Sequence, residues 1–266
     1  MLRLSNSQKN KIIALSENGT SLNQIEKLMD ISKTTIYYHV RKKFGKKIKE
    51  VTIDNSNERK IGEFVGLFAG DGSYFFDKEK YLYRVRIYLN KNERNVLQYY
   101  TKLLEKLFGK PPNVFYYKSI AILDFRSKVI VNLLKSYLKW RRNKTYTIGL
   151  KDYNKLSIQF LKGFAKGLID SDGYVRRGQK EIYFGSTSPA LNKNFVDTLK
   201  LLDIKYKCYV QKRTNRHVFY KTRIPSDEVT KFIRIINPIK ASGLAGIRTQ
   251  VRSFSPSDRK LLSYPS

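Results

Sequence analysis

Two short stretches about a hundred residues apart constrain this chain more than anything else in it. One runs Phe64-Val65-Gly66-Leu67-Phe68-Ala69-Gly70-Asp71-Gly72, the other Phe164-Ala165-Lys166-Gly167-Leu168-Ile169-Asp170-Ser171-Asp172-Gly173. Each is apolar, rich in small residues, and ends in an acid followed by glycine, as a helix does when glycine stops it. A repeat at that interval predicts two similar half-domains. Gly66 and Gly70 are four apart, as are Gly163 and Gly167, so each helix offers a flat stripe for backbone contact. Packed side by side and parallel, the two helices would bring Asp71 and Asp172 to the same end. That end is unfavourable for two carboxylates. A helix C-terminus repels negative charge by about 0.3–1 kcal/mol, and like charges raise each other's pKa. A hard divalent cation such as Mg²⁺ removes both objections, because it takes carboxylate and carbonyl oxygens and keeps several waters. Exposed, glycine-capped acids would explain one copy; they do not explain two.

The partner is indicated by charge. Lys+Arg 53 against Asp+Glu 22 gives a net +31 over 266 residues. A solvated lysine-rich surface accounts for part of this, but so large an excess points to a polyanion. No run approaches the roughly 18 apolar residues of a membrane-spanning helix, so nucleic acid is expected and a membrane is not. Cys208 is the one cysteine, which excludes an intrachain disulfide and a cysteine-based zinc site. His39 and His217 are the only histidines, which argues against histidine-cluster nucleases and a Ser-His-Asp triad. With no signal peptide visible, a cytoplasmic, nucleoid-associated protein is expected.

Residues 1–45 read as three short helices. Ser7, Ser21 and Ser32 serve as N-caps, with Ile12, Ile13, Leu15, Leu22, Ile25, Leu28, Ile36 and Val40 inward. The turn Met29-Asp30-Ile31 between the last two resembles the helix-turn-helix of resolvases and many repressors. In that geometry Lys33, Thr34, Thr35 and Tyr37 face base edges, and Arg41, Lys42 and Lys43 meet phosphates. A mere helical spacer is the alternative. Residues 46–60 read as a polar linker.

Half 1 (61–150) and half 2 (151–240) each read α-β-β-α-β-β-α, an α+β class, with a basic connector at 141–155. The strand Tyr81–Asn90 alternates Tyr83, Val85, Ile87 and Leu89 with Arg84, Arg86, Tyr88 and Asn90. An outward row of basic and aromatic side chains suits a sheet laid on nucleic acid. Residues 241–266 read as a disordered tail. Its Gly246-Ile247-Arg248-Thr249 can be encoded by GGATTCGAAC, the reverse complement of a typical tRNA T-arm segment, which predicts a frame run on into an antisense tRNA gene.

On these residues the segments resemble the LAGLIDADG motifs of homing endonucleases, the second closely (Gly167-Leu-Ile-Asp-Ser-Asp-Gly173) and the first in degenerate form. The resemblance covers about Ile61 to Lys240 and matches the single-chain, two-motif form. It implies two pseudo-symmetric halves forming an antiparallel β saddle on the major groove of a long, asymmetric double-stranded DNA target. DNA contacts would come from Arg84, Arg86, Tyr88 and Asn90, with Arg94 nearby, and from Tyr183, Lys207, Tyr209, Gln211, Arg213, Lys221 and Arg223. The resemblance further implies Mg²⁺ (or Mn²⁺) at Asp71 and Asp172, with the carbonyls of Gly70 and Ser171 completing the coordination. It also implies a catalytic lysine after the fourth strand, matched best by Lys128. Asp170 falls outside this ligand pattern and is expected in a supporting or solvent-facing position. The implied activity is a monomeric, intron-encoded or free-standing, Mg²⁺-dependent endonuclease that cuts both DNA strands at a specific site. A non-cleaving transcriptional regulator on the same fold, or a maturase bound to its host intron RNA, are the alternatives.

Overall fold

A computed structural model describes residues 4–44, 51–79, 81–178, 180–212 and 217–242. The chain divides into two compact units, Met1–Glu50 and Val51–Ser266.

The first unit is three helices: α1 (Asn6–Glu17), α2 (Leu22–Met29) and α3 (Lys33–Phe44). Ser5, not Ser7, starts α1. Its hydroxyl accepts from Gln8 N at 3.2 Å while its own N–H donates to Gln8 Oε1 at 2.9 Å. Ser21 and Gln24 make the same reciprocal cap on α2. Asp30 ends α2 in the left-handed conformation, φ 51°. Ile12, Ile25 and Ile36, one from each helix, are fully buried together. Leu28, expected inward, is 66% exposed.

In the second unit, α4 (Glu58–Asp71) is capped by the Asn57 side chain and so begins inside the stretch read as linker. Thr52 N and Asp54 N donate to the carbonyls of Phe108 and Leu107, at 3.3 and 2.9 Å, which ties this stretch to the core. Next come β1 (Gly72–Asp77), β2 (Leu82–Asn90), α5 (Arg94–Phe108), β3 (Asn113–Tyr117), β4 (Ile120–Arg126) and α6 (Lys128–Tyr137). The connector at 141–155 is itself structured. It holds α7 (Lys144–Thr147) and β6 (Gly149–Leu150), and β6 pairs with β5 (Leu138–Lys139). The order then repeats: α8 (Ile158–Asp172), β7 (Gly173–Arg176), β8 (Glu181–Ser186), α9 (Pro189–Leu201), β9 (Lys207–Gln211), β10 (Phe219–Ile224) and α10 (Ser226–Ile236). A 3₁₀ turn at Ile239–Ala241 closes it, with Ala241 buried. Residues 243–266, including the Gly246–Thr249 run, lie outside the described residues.

The two four-stranded antiparallel sheets have the same topology, β1-β2-β4-β3 and β7-β8-β10-β9. Alternation decides which face is covered. Val85, Ile87 and Leu89 of β2 and Ala121, Leu123 and Phe125 of β4 are buried under the helices, and Ile182, Phe184 and Ile224 do the same in the second sheet. Arg84, Arg86 and Tyr88 stay partly open on the other face.

Candidate active site

The site is built by the contact of α4 with α8. The helices run parallel, because Gly62 faces Phe160, Gly66 faces Phe164 and Leu168, and Gly70 faces Ser171. A Cβ at Gly167 would stand 2.5 Å from Leu67 N, closer than real atoms approach, so only glycine lets the backbones touch there. The stripe on α4 is Gly62/Gly66, one turn earlier than the Gly66/Gly70 pair read from the sequence. Gly70 instead lies against the end of the partner helix, where an added Cβ would be 2.9 Å from Asp172 Oδ2. Gly72 and Gly173 do not end their helices in the left-handed form. Both are extended, with φ −94° and −77°, and lead directly into a strand. Glycine is required at Gly173 because a Cβ would meet Ile169 Cα at 2.7 Å.

Asp71 and Asp172 therefore meet at one end of the paired helices. Burial, then the charge of Asp172, pushes the Asp71 carboxyl up to about 6. Burial likewise raises Asp172, opposed by Lys144 and Lys240. Those two lysines were not foreseen. Lys144 Nζ donates to the carbonyls of Ala69 at 2.9 Å and Gly70 at 3.3 Å. Lys240 Nζ donates to the Ser171 carbonyl at 2.6 Å and lies 3.7 Å from Glu93. Burial lowers the Lys144 ammonium to about 8, against the pull of Asp172 and Asp71. Each lysine follows the last helix of its half, so the repeat carried a faint signal for the pair.

Lys128 is not part of this site. Strand β4 runs from Ile120, opposite Asn90, to Arg126, opposite Arg84, so it ends far along the sheet from Gly72, which stands opposite Ile87. Lys128 is exposed there, its Nζ 5.8 Å from the Tyr83 ring. Nor does Asp170 face solvent. It is fully buried, accepting from Tyr100 OH at 2.9 Å and Lys240 N at 3.0 Å, with Lys166 Nζ at 3.5 Å. Lys166 also binds Glu63 at 2.8 Å, and Tyr99 OH donates to Glu63 at 2.5 Å.

The donor set suits a hard cation in part. Two carboxylates with destabilised charge are what Mg²⁺ or Mn²⁺ would take, with water filling the remaining positions. The Gly70 and Ser171 carbonyls, expected as further ligands, are instead engaged by ammonium groups. Among the described residues no cluster of three or more His, Cys, Asp or Glu forms a metal site elsewhere.

The open faces of the two sheets carry the expected interface residues. Arg84, Arg86, Tyr88 and Asn90 share one face with Arg126, Phe115 and Tyr117. In the second sheet Tyr183, Lys221, Arg223, Lys207, Tyr209 and Gln211 also share one face, and a shallow concavity of about 290 Å³ opens among them. Tyr183 is 9% exposed, with Lys221 Nζ 4.0 Å above its ring, so it underlies the interface. Arg213 lies outside the described residues. Arg94 is exposed at the start of α5. On α3, Lys33, Thr34, Tyr37 and Arg41 are exposed. Thr35 is half-buried, its N–H held by Ser32 Oγ at 3.4 Å and its Oγ1 2.9 Å from the same hydroxyl, so it serves the cap. Tyr38, which the sequence reading passed over, is 60% exposed.

Two α+β halves joined through parallel glycine-faced helices, each helix delivering an acid beneath an open antiparallel sheet, define the single-chain LAGLIDADG fold. Residues 159–237 match the family model of the LAGLIDADG-like domain. Its structure is similar to mesophilic variants of the homing endonuclease I-DmoI, with a TM-score of 0.54 and 16% identity over 68% of this chain and 97% of that one. I-DmoI in complex with DNA and Mn gives 0.53 and 18%, over 67% and 96%. Full-length WhiA from Thermatoga maritima gives 0.50 and 16%, over 79% and 66%. At these identities the likeness is one of fold. No curated protein matches the sequence significantly.

Proposed function

We propose that the protein is a site-specific DNA endonuclease that uses a divalent metal, Mg²⁺ or Mn²⁺, to hydrolyse phosphodiester bonds. The observation that carries this reading is the meeting of Asp71 and Asp172 at the ends of two parallel helices, with an ammonium group reaching each helix end. Both acids would hold the metal, which supplies activation of water and stabilisation of the leaving 3′ oxygen. The chain's own residues do the rest. Lys144, at about 8, is cationic at neutral pH and can neutralise a phosphate brought against the site; Lys240 offers the same charge from the other half. The arginines and lysines of the two open faces supply the phosphate attraction that a +31 chain can exert, and their side chains can reach base edges in a major groove. The two faces differ at nearly every position, which supports an asymmetric target read by a monomer. I-DmoI solved with DNA and Mn is consistent with this chemistry.

A non-cleaving regulator is the second reading. The helix-turn-helix unit supports it, and the presence of both acids speaks against it. Purified protein incubated with a library of long duplexes and Mg²⁺ or Mn²⁺ separates the two. Cutting or nicking that stops in Asp172→Asn supports the endonuclease; tight, selective binding at physiological salt with no cleavage under any metal establishes the regulator.

A further inference from the structure

On the open face of the first sheet, a carboxylate stands where a DNA-binding surface should least tolerate one. Asp124 of β4 lies directly opposite Arg86 of β2 and is fully buried. Arg86 Nε donates to Asp124 Oδ1 at 2.9 Å. Arg84 Nε lies 3.0 Å from the same oxygen without hydrogen-bond alignment, and Arg126 Nε is 3.9 Å from Oδ2. Three guanidinium groups thus surround one acid, with Arg84, Arg86 and Arg126 side chains 23%, 34% and 55% exposed.

The second sheet repeats the arrangement with the charges exchanged. Counting from Gly72, opposite Ile87 and then Leu123, and from Gly173, opposite Phe184 and then Thr222, Arg84 corresponds to Glu181 and Asp124 to Arg223. Buried Glu181 on β8 binds Arg223 on β10 and accepts from Tyr183 OH at 2.5 Å. The same diagonal pair is kept in both halves, with acid and base on opposite strands.

Neutralising arginine–arginine repulsion would require an acid anywhere nearby. Engagement through Nε is more particular, because it keeps the two terminal nitrogens of Arg86 off the acid as a fork, in a guanidinium that the Tyr88 side chain also steadies by a hydrogen bond. A planar fork of that kind pairs with O6 and N7 of guanine. Resting on the DNA-binding reading above, we infer that Asp124 is a positioning residue for sequence recognition, holding Arg86 by its Nε edge and drawing Arg84 to the same oxygen as an ion pair, so that they read guanine in the major groove. Arg84 and Arg86 are two residues apart on a strand, roughly 6.6 Å, which is about two base-pair steps. The guanines should therefore fall within a few neighbouring positions of one half-site.

A duplex library with a randomised core, bound in EDTA at physiological salt and sequenced after selection, tests this. The native chain should enrich guanine at a short block of positions by roughly 5- to 150-fold per contact. Asp124→Asn should lose that enrichment while preferences elsewhere persist and affinity for mixed-sequence DNA rises, because a negative charge has gone. Asp124→Glu should restore part of it, and Arg86→Lys, which keeps the charge but not the fork, should lose it at the same positions. Identical pools from native and Asp124→Asn protein overturn the inference and leave DNA binding standing. Should Asp124→Asn fail to fold, unchanged guanine enrichment in Arg86→Lys overturns it instead. A native pool without any sequence preference overturns the site-specific reading itself.

Discussion

Lys240 is bound to Asp170 through its main chain, its N–H donating to Asp170 Oδ1 at 3.0 Å, and this fixes where its side chain goes. The ammonium reaches the Ser171 carbonyl, one residue before Asp172. A fully buried acid in α8 thereby holds a cation at the end of its own helix.

Removing that acid should be costly. Asp170→Ala leaves Lys166 with Glu63 alone and frees the Ile239–Ala241 turn, and loss of one partner of a buried ion pair costs about 3–5 kcal/mol. Urea denaturation of the variant should show a loss of this size. A change under 1 kcal/mol would mean the network contributes little.

The paired acids predict a pH signature. The folded-state pKa of Asp71 is raised to about 6 from 3.8, so the group contributes stability that is complete below pH 3.8 and disappears as pH rises through 6. Asp71→Asn lacks this loss. In EDTA the melting temperature of the variant, relative to the native chain, should therefore climb between pH 4 and 6.5, and Mg²⁺ should close the gap. Parallel pH profiles would contradict the burial and charge assigned to Asp71.

The lysines should matter unequally. Lys144→Met and Lys240→Met should each slow cleavage at least tenfold, while Lys128→Ala, remote from the acids, should cut at the native rate. Strand-resolved gels with end-labelled duplex will show whether each lysine governs a different strand. Loss of cutting in Lys128→Ala would restore the role expected from sequence.

Close packing gives a fourth expectation. Gly167→Ala pushes a methyl against Leu67 N and the Glu63 carbonyl, neither of which can yield without moving a helix. Overpacking of this kind costs about 1–3 kcal/mol or more. Thermal unfolding should reveal it; an unchanged melting temperature would mean the helices are further apart than the structure places them.

The paired helices, their acids and the outward row of β2 were legible because period and glycine spacing are local properties. Gly66 and Gly167 announce a helix contact; Arg84, Arg86 and Tyr88 alternate with Val85, Ile87 and Leu89. Lys144 and Lys240 were barely legible: a side chain reaching a helix end from a distant turn leaves no local pattern, and the only trace is that each follows the last helix of its half. Lys128 was misplaced by reading "after the fourth strand" as "near the site", although an antiparallel β4 carries the chain away from it. For Asp170 the sequence left a supporting and a solvent-facing place open, and only the packing of α5 and the 3₁₀ turn against α8 decides for the first. Ser7 lost the cap to Ser5 because Gln8 stands three residues after Ser5, a reciprocal pairing visible in the sequence and passed over.

The Glu63–Lys166–Asp170 network has a consequence for how the halves choose each other. Setting Gly66 on Gly167 aligns Glu63 with Phe164, Val65 with Lys166 and Ala69 with Asp170. Two copies of the first half meeting through α4 would enclose a pair of glutamates with no cation between them. Two copies of the second would leave each Lys166 only the Asp170 of its own helix, without the Glu63 that holds it here. Only the mixed pairing gives Glu63 a cation and Lys166 its second acid, which favours the halves for each other. Severed at the connector, they should reassemble with each other and refuse to self-associate.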